Sequence, residues 1–110
     1  DFKGTPPKDE IVRRLCEAHR LCGDIGKIAV MPKSAADVIT LLDATQMMKG
    51  KLNTWPVITM SMSGKGIVSR ISGELFGSSV TFAAAKGISA PGQIPIAEMR
   101  EILKLLHTSL

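Results

Sequence analysis

Two stretches decide the fold: Asp24-Ile25-Gly26-Lys27-Ile28-Ala29-Val30-Met31-Pro32 and Val57-Ile58-Thr59-Met60-Ser61-Met62. Both are apolar at nearly every position, as strands covered on both faces are, and the second is rich in β-branched residues. Pro32 closes the first strand. Between them, Ser34 and Asp37 have the spacing of a capping box. Val38, Leu41, Leu42, Thr45 and Met48 then recur at helical intervals as one face, and Gly50 ends the helix. A strand, a helix and a second strand in this order make a β-α-β unit with parallel strands.

The same alternation extends outward in both directions. Upstream, Thr5 reads as an N-cap, with Pro6 and Pro7 tolerated in a first helical turn and Asp9 and Glu10 complementing the helix dipole. Ile11, Leu15, Ala18 and Cys22 follow at helical spacing, and Gly23 is the stop. Downstream, Ser63 reads as the cap of a helix in which Ile67, Val68, Ile71 and Leu75 share a side, and Gly77 ends it. Ser79 to Ala85 reads as a last strand, although alanines are weak strand formers. A turn-rich loop from Lys86 to Gln93 leads to Pro95, which opens a final helix carrying Ile96, Met99, Ile102, Leu103 and Leu106.

The order α-β-α-β-α-β-α in 110 residues fits a small open α/β sheet or half of a (β/α)8 barrel, a fold of typically ~250 residues. The opening at Asp1 without an initiating methionine favours the half-barrel. A half-barrel leaves the inner face of its strands uncovered and needs its other half beside it. Residues 1–110 read as one segment with no linker.

Composition narrows the function classes. The chain is 45% hydrophobic and 22% charged, which argues against a disordered tail. No apolar run approaches the ~18–20 residues of a membrane span. The net charge of +4 comes from scattered lysines and arginines with few aromatics between them, so a nucleic-acid groove is not supported. A modest positive charge suits an anionic small substrate. Cys16 and Cys22 stand six apart on one predicted helix, on different faces. Reduced thiols and a cytoplasmic location are therefore expected.

Lys27 is the unusual residue. It shares strand parity with Ile25, Ala29 and Met31, and a buried ammonium is costly unless it is paired or neutral. A desolvated, neutral lysine is a nucleophile for carbonyls. The ordinary alternative is a lysine at a strand's start that reaches into solvent. Arg70 offers paired hydrogen bonds to a carboxylate, or is a surface arginine. Ser89 and Gln93 lie in the loop after the last strand, where a barrel builds its active face; otherwise they belong to a connecting turn. Ser63-Gly64-Lys65-Gly66 has the look of an anion cradle but lacks P-loop spacing. His19 and His107 have no metal-ligand partners at a useful spacing, and Met60 and Met62 read as core filler. No metal site is expected.

Several motifs together resemble one family. These are Lys27-Ile28-Ala29-Val30-Met31-Pro32, Ile58-Thr59-Met60-Ser61-Met62, Ser69-Arg70-Ile71-Ser72-Gly73-Glu74-Leu75-Phe76-Gly77-Ser78, Thr81-Phe82 and Ser89-Ala90-Pro91-Gly92-Gln93-Ile94. In order and spacing they resemble type I 3-dehydroquinate dehydratase, over the C-terminal part of that enzyme. The resemblance implies the C-terminal half of a (β/α)8 TIM barrel that converts 3-dehydroquinate to 3-dehydroshikimate in the shikimate pathway, without metal or organic cofactor. It implies that Lys27 forms a Schiff base with the substrate ketone and that Arg70 binds substrate. It further implies that Ser89 and Gln93 belong to a mobile loop over the pocket, that Met62 and Phe82 line the pocket, and that the enzyme is a homodimer.

The family's proton-shuttling histidine immediately precedes an Asp-Phe pair, and Asp1-Phe2 matches that pair. The resemblance therefore places the acid/base, its carboxylate partner and further arginines in an N-terminal half, and the chain alone is expected to be inactive. Two other functions remain open on the residues themselves. Another Schiff-base barrel enzyme, such as an aldolase, also needs Lys27 but not the Ser89–Gln93 loop. A non-catalytic anion-binding domain would use Gly64 to Gly66.

Overall fold

The computed structural model describes residues 3–81 and 93–110. Helix α1 spans Lys8–Arg20, strand β1 Gly26–Val30, helix α2 Ala35–Lys51 and strand β2 Val57–Ser61. A 3-10 turn at Gly64–Gly66 leads into two short helices, α3 (Ile67–Ile71) and α4 (Gly73–Phe76), and α5 covers Ile96–Ser109. The strands β1 and β2 are parallel neighbours, with Lys27 opposite Ile58, Ala29 opposite Met60 and Val30 opposite Ser61.

One face of this sheet is packed by helices. Val30 and Val57 join Ile11, Val12 and Leu15 of α1 and Leu41, Ala44 and Met48 of α2 in a single core. Each such aliphatic side chain contributes about 1.5–3 kcal/mol by leaving water. A short hydrogen bond of 2.7 Å between the hydroxyls of Thr45 on α2 and Thr59 on β2 crosses the same interface, and both residues are buried. The predicted face Val38, Leu41, Leu42, Thr45, Met48 is buried as a set.

Five local expectations are corrected. Thr5 does not cap α1: Pro7 holds the cap position, and the Thr5 hydroxyl donates to the Met31 carbonyl at 2.8 Å. With Met31 N–H donating to Gly4 O at 3.1 Å, the segment before α1 is tied to the chain just after β1. Ser34 makes no side-chain cap bond; Asp37 instead accepts the Lys33 N–H at 2.8 Å. Helix α2 runs through Gly50 to Lys51. Cys22 lies beyond α1, exposed and at φ 63°, so it shares no helical face with Cys16.

The single helix expected after Ser63 is the fifth correction. It is broken at Ser72, and Val68 and Leu75 are exposed rather than packed. Gly77, at φ 107°, closes α4 in the left-handed conformation that favours glycine. Beyond it, Ser79 N–H donates to Val57 O at 2.7 Å, which sets residue 79 against the far edge of β2. Residues 79–81 carry no assigned strand. The rest of the expected third strand lies outside the described residues.

Gly66 is required by packing. A Cβ there would overlap the backbone carbonyl of Ser61, which cannot move without unseating β2. Gly66→Ala in the full-length polypeptide is expected to cost about 3 kcal/mol or more. Gly64→Ala, where a Cβ meets open space, is expected to stay within about 0.5 kcal/mol. Urea unfolding of the two variants side by side checks the difference.

Candidate active site

Alternation along the strands sorts their residues into two sets. Gly26, Ile28 and Val30 face the helices, as do their partners Val57, Thr59 and Ser61. Lys27 and Ala29 point the other way, with Ile58 and Met60 beside them. Lys27 therefore stands on the face that no helix of the core covers, as its strand parity suggested. Its side chain is exposed, however. Among the described residues nothing closes over the lysine itself, although the row beside it, Ile58, Met60 and Met62, is buried.

The other end of β2 is built around hydroxyls. Its last residue, Ser61, is fully buried. Met62 follows, 2% exposed, with its N–H donating to Val30 O at 2.8 Å. By alternation Met62 continues the row of Ile58 and Met60, the row that flanks Lys27. Ser69 on α3 lies against this strand end: its Oγ accepts the Ser61 N–H at 2.8 Å and donates to Gly66 O at 2.7 Å. The next residue, Arg70, is 1% exposed, the largest fully buried side chain among the described residues. Burial pulls its pKa below the usual arginine value. That value starts so far above neutrality that the guanidinium stays charged. A buried, charged guanidinium is the kind of group that grips a carboxylate.

Lys27 is level with Ile58, and Ser61 lies three residues further along. At ~3.3 Å per residue, about 10 Å of strand separates the lysine from the Ser61–Arg70 end. Lys27 and Met62 thus share a face, while Arg70 stands at its downstream end.

Gln93 is half-buried next to the buried Ile94, at the approach to α5. Phe82 and Ser89 lie outside the described residues. A cleft of about 500 Å³ opens between α3–α4 and α5 and is lined by Arg70, Ser78, Thr81, Glu74 and His107 among others. Neither Lys27 nor Met62 lines it. The two histidines serve elsewhere. His19 meets Trp55 edge-on at 5.0 Å, and Trp55 covers Gly26 on the helix side of β1, opposite Lys27. His107 pairs with Glu74 at 2.6 Å in the open.

The Gly64–Gly66 cradle does not form. That segment is a 3-10 turn with the Gly66 N–H spent on Ser63 O, and the helix after it has five residues. Among the described residues no group of three or more His, Cys, Asp or Glu side chains gathers as a metal site, and no helix is long and apolar enough to cross a membrane. Sequence reasoning quoted Ser69 within a motif without giving it a task. The signal was weak: Ser69 follows Gly66 by three residues, but Ser61, Ser63, Ser72, Ser78 and Ser79 stand in the same stretch.

Parallel strands with helices on one face, and a lone lysine among apolar neighbours on the other, are the construction of a (β/α)8-barrel enzyme. Comparison with known proteins makes the class specific. The type I 3-dehydroquinase family model matches residues 1–110, and the chain belongs to that family. It is 59% identical over 107 residues to the 3-dehydroquinate dehydratase of Listeria monocytogenes, covering 97% of this chain and 42% of the relative. It is 56% identical over 110 residues to that of Clostridium novyi, covering 44% of it. The crystal structure of 3-dehydroquinate dehydratase from Geobacillus kaustophilus superposes with a TM-score of 0.94 at 48% identity, over 97% of this chain and 41% of that one. The type I enzyme from Clostridium difficile, solved with covalent modified comenic acid, gives a TM-score of 0.94 at 54% identity, over 100% and 43%. The chain thus spans under half the length of the relatives it matches.

Proposed function

We propose that the polypeptide containing this chain dehydrates 3-dehydroquinate to 3-dehydroshikimate through a Schiff base on Lys27. What carries the reading is the family match along residues 1–110 together with Lys27's place on the strand face opposite the packed core, in one row with the buried Ile58, Met60 and Met62. In a complete barrel that face is the interior.

The chemistry follows from the groups. The Lys27 amine adds to the substrate ketone and water leaves, giving a protonated imine. The imine draws electrons from the adjacent carbon, so a base removes that carbon's proton and an enamine forms. The enamine expels the neighbouring hydroxyl as water once that oxygen is protonated. Hydrolysis of the imine then frees the product and restores the amine. His19 meets Trp55 on the helix side of β1, away from Lys27, and the family resemblance assigns the base to a histidine of the N-terminal half of the enzyme.

Arg70 takes the substrate carboxylate, and the ~10 Å between its end of the sheet and the lysine is bridged by a ring with its substituents and by the arginine's own reach. Met62 and Phe82 supply apolar wall. Ser89 and Gln93 close over the substrate and keep bulk water from the imine. The reading includes a homodimer in the cytoplasm and the N-terminal half of the same enzyme as an obligatory partner. A single segment, residues 1–110, contributes to one barrel.

The test is direct. Full-length enzyme incubated with 3-dehydroquinate is expected to produce the conjugated product, followed by ultraviolet absorbance. It is expected to leave aldol substrates uncleaved, which separates it from a lysine aldolase. Aldol cleavage without dehydration would overturn the assignment.

A further inference from the structure

Ser69 is a residue to which the reaction gives no part, yet its hydroxyl makes a buried polar junction at the end of β2. Its Oγ accepts the Ser61 N–H at 2.8 Å, donates to Gly66 O at 2.7 Å and lies 3.3 Å from Ser61 O. It is 3% exposed, between Ser61 at 0% and Arg70 at 1%. The Met62 N–H reaches Val30 O on β1, so by alternation the Ser61 N–H points to the opposite edge of β2, and without Ser69 this buried donor loses its acceptor. Gly66 completes the junction, because only a residue without Cβ lets the turn seat against the Ser61 carbonyl.

We infer that Ser69 is a positioning residue: its hydroxyl bolts the first turn of α3 to the end of β2 and so fixes Arg70, and with it Met62, relative to the strand that carries the apolar row. The inference rests on the reading that Arg70 grips the substrate carboxylate. Two facts make the coupling mechanical. Arg70 is joined to Ser69 by one peptide bond, and Met62 is joined to Ser61 by one. Helix α3 has only five residues, too few to hold its own orientation without an anchor. A guanidinium needs both direction and distance to form paired hydrogen bonds, so loss of the anchor weakens carboxylate binding before it touches the chemistry at the lysine.

The experiment uses full-length enzyme. Ser69→Ala is expected to raise KM for 3-dehydroquinate roughly tenfold and to leave kcat within about threefold. Ser69→Thr, which keeps the hydroxyl, is expected to remain near wild type. In an Arg70→Lys background, where the paired grip is already gone, the Ser69→Ala step is expected to change KM less than about twofold. If the alanine variant fails to fold, Ser69→Cys is judged by the same two criteria. Equal KM factors in both backgrounds, or a fall in kcat with KM unchanged, would show a merely structural serine and overturn the inference. A wild-type enzyme that does not dehydrate 3-dehydroquinate overturns the functional reading and this inference with it. An active wild type with additive variants overturns this inference alone.

Discussion

Lys27→Ala in the full-length enzyme is expected to lower kcat for 3-dehydroquinate by at least roughly 10⁴-fold, the scale on which loss of a covalent nucleophile acts. The thermal midpoint is expected to fall by no more than about 2 °C. The two effects separate because of where the lysine stands. It is on the strand face opposite the packed core, with Ile58 across from it, and its side chain is exposed. Alanine therefore removes a nucleophile and leaves the packing of Val30, Leu41 and Met48 intact. Lys27→Arg is expected to be as inactive as alanine, because a guanidinium does not give up its proton and cannot add to a ketone. Steady-state kinetics beside a melting curve read both halves of the expectation. Substantial turnover by either variant would mean that the amine is not the nucleophile.

Arg70→Ala carries the second large effect. Removing one partner from a buried, charged hydrogen-bonded contact costs about 2–5 kcal/mol, roughly 30-fold to a few thousand-fold in binding. The loss is expected chiefly in KM, with inhibition constants for carboxylate-bearing substrate analogues rising in parallel. Analogues in which the carboxylate is replaced by a neutral group are expected to lose no further affinity in the variant. Arg70→Lys is expected to recover only a small part, since a lysine is a point charge without the planar fork. Because Arg70 is also the largest fully buried side chain described, circular dichroism must accompany the kinetics. A folded Arg70→Ala enzyme with an unchanged KM would remove this arginine from substrate binding.

The β-α-β unit was legible in the sequence because its signals are strong and local. The apolar run from Ile28 to Met31 and the β-branched run from Val57 are strand-like. The helical face from Val38 to Met48 is buried as a set. The caps were read less well. Thr5 has the right identity for a cap, but Met31's carbonyl offers its hydroxyl a tertiary partner, and tertiary pairing outweighs a local bond. The helix after Ser63 was read as continuous from Ile67 to Leu75. It is interrupted at Ser72, between α3 and α4, where the Ser72 hydroxyl adds a 2.6 Å bond to the Val68 carbonyl that its N–H already uses.

The site was legible at two levels. Strand parity identified the face of Lys27, which the register agrees with. It did not give the enclosure, because the lysine's surroundings depend on chain beyond these two strands. Arg70's burial was not legible in the residues: one charged residue on a short helix reads as surface, and only the packing of α3 onto β2 reveals otherwise. The chemistry itself came from the family motifs. Composition and periodicity alone support an α/β segment with one misplaced lysine.

Reductive trapping addresses the covalent step without intermediaries. Full-length enzyme mixed with 3-dehydroquinate and sodium borohydride, then digested and sequenced by mass spectrometry, is expected to carry a reduced substrate adduct on the peptide containing Lys27 and to lose activity in proportion to labelling. An active enzyme that gains no adduct, or one labelled on a different lysine, would contradict the account.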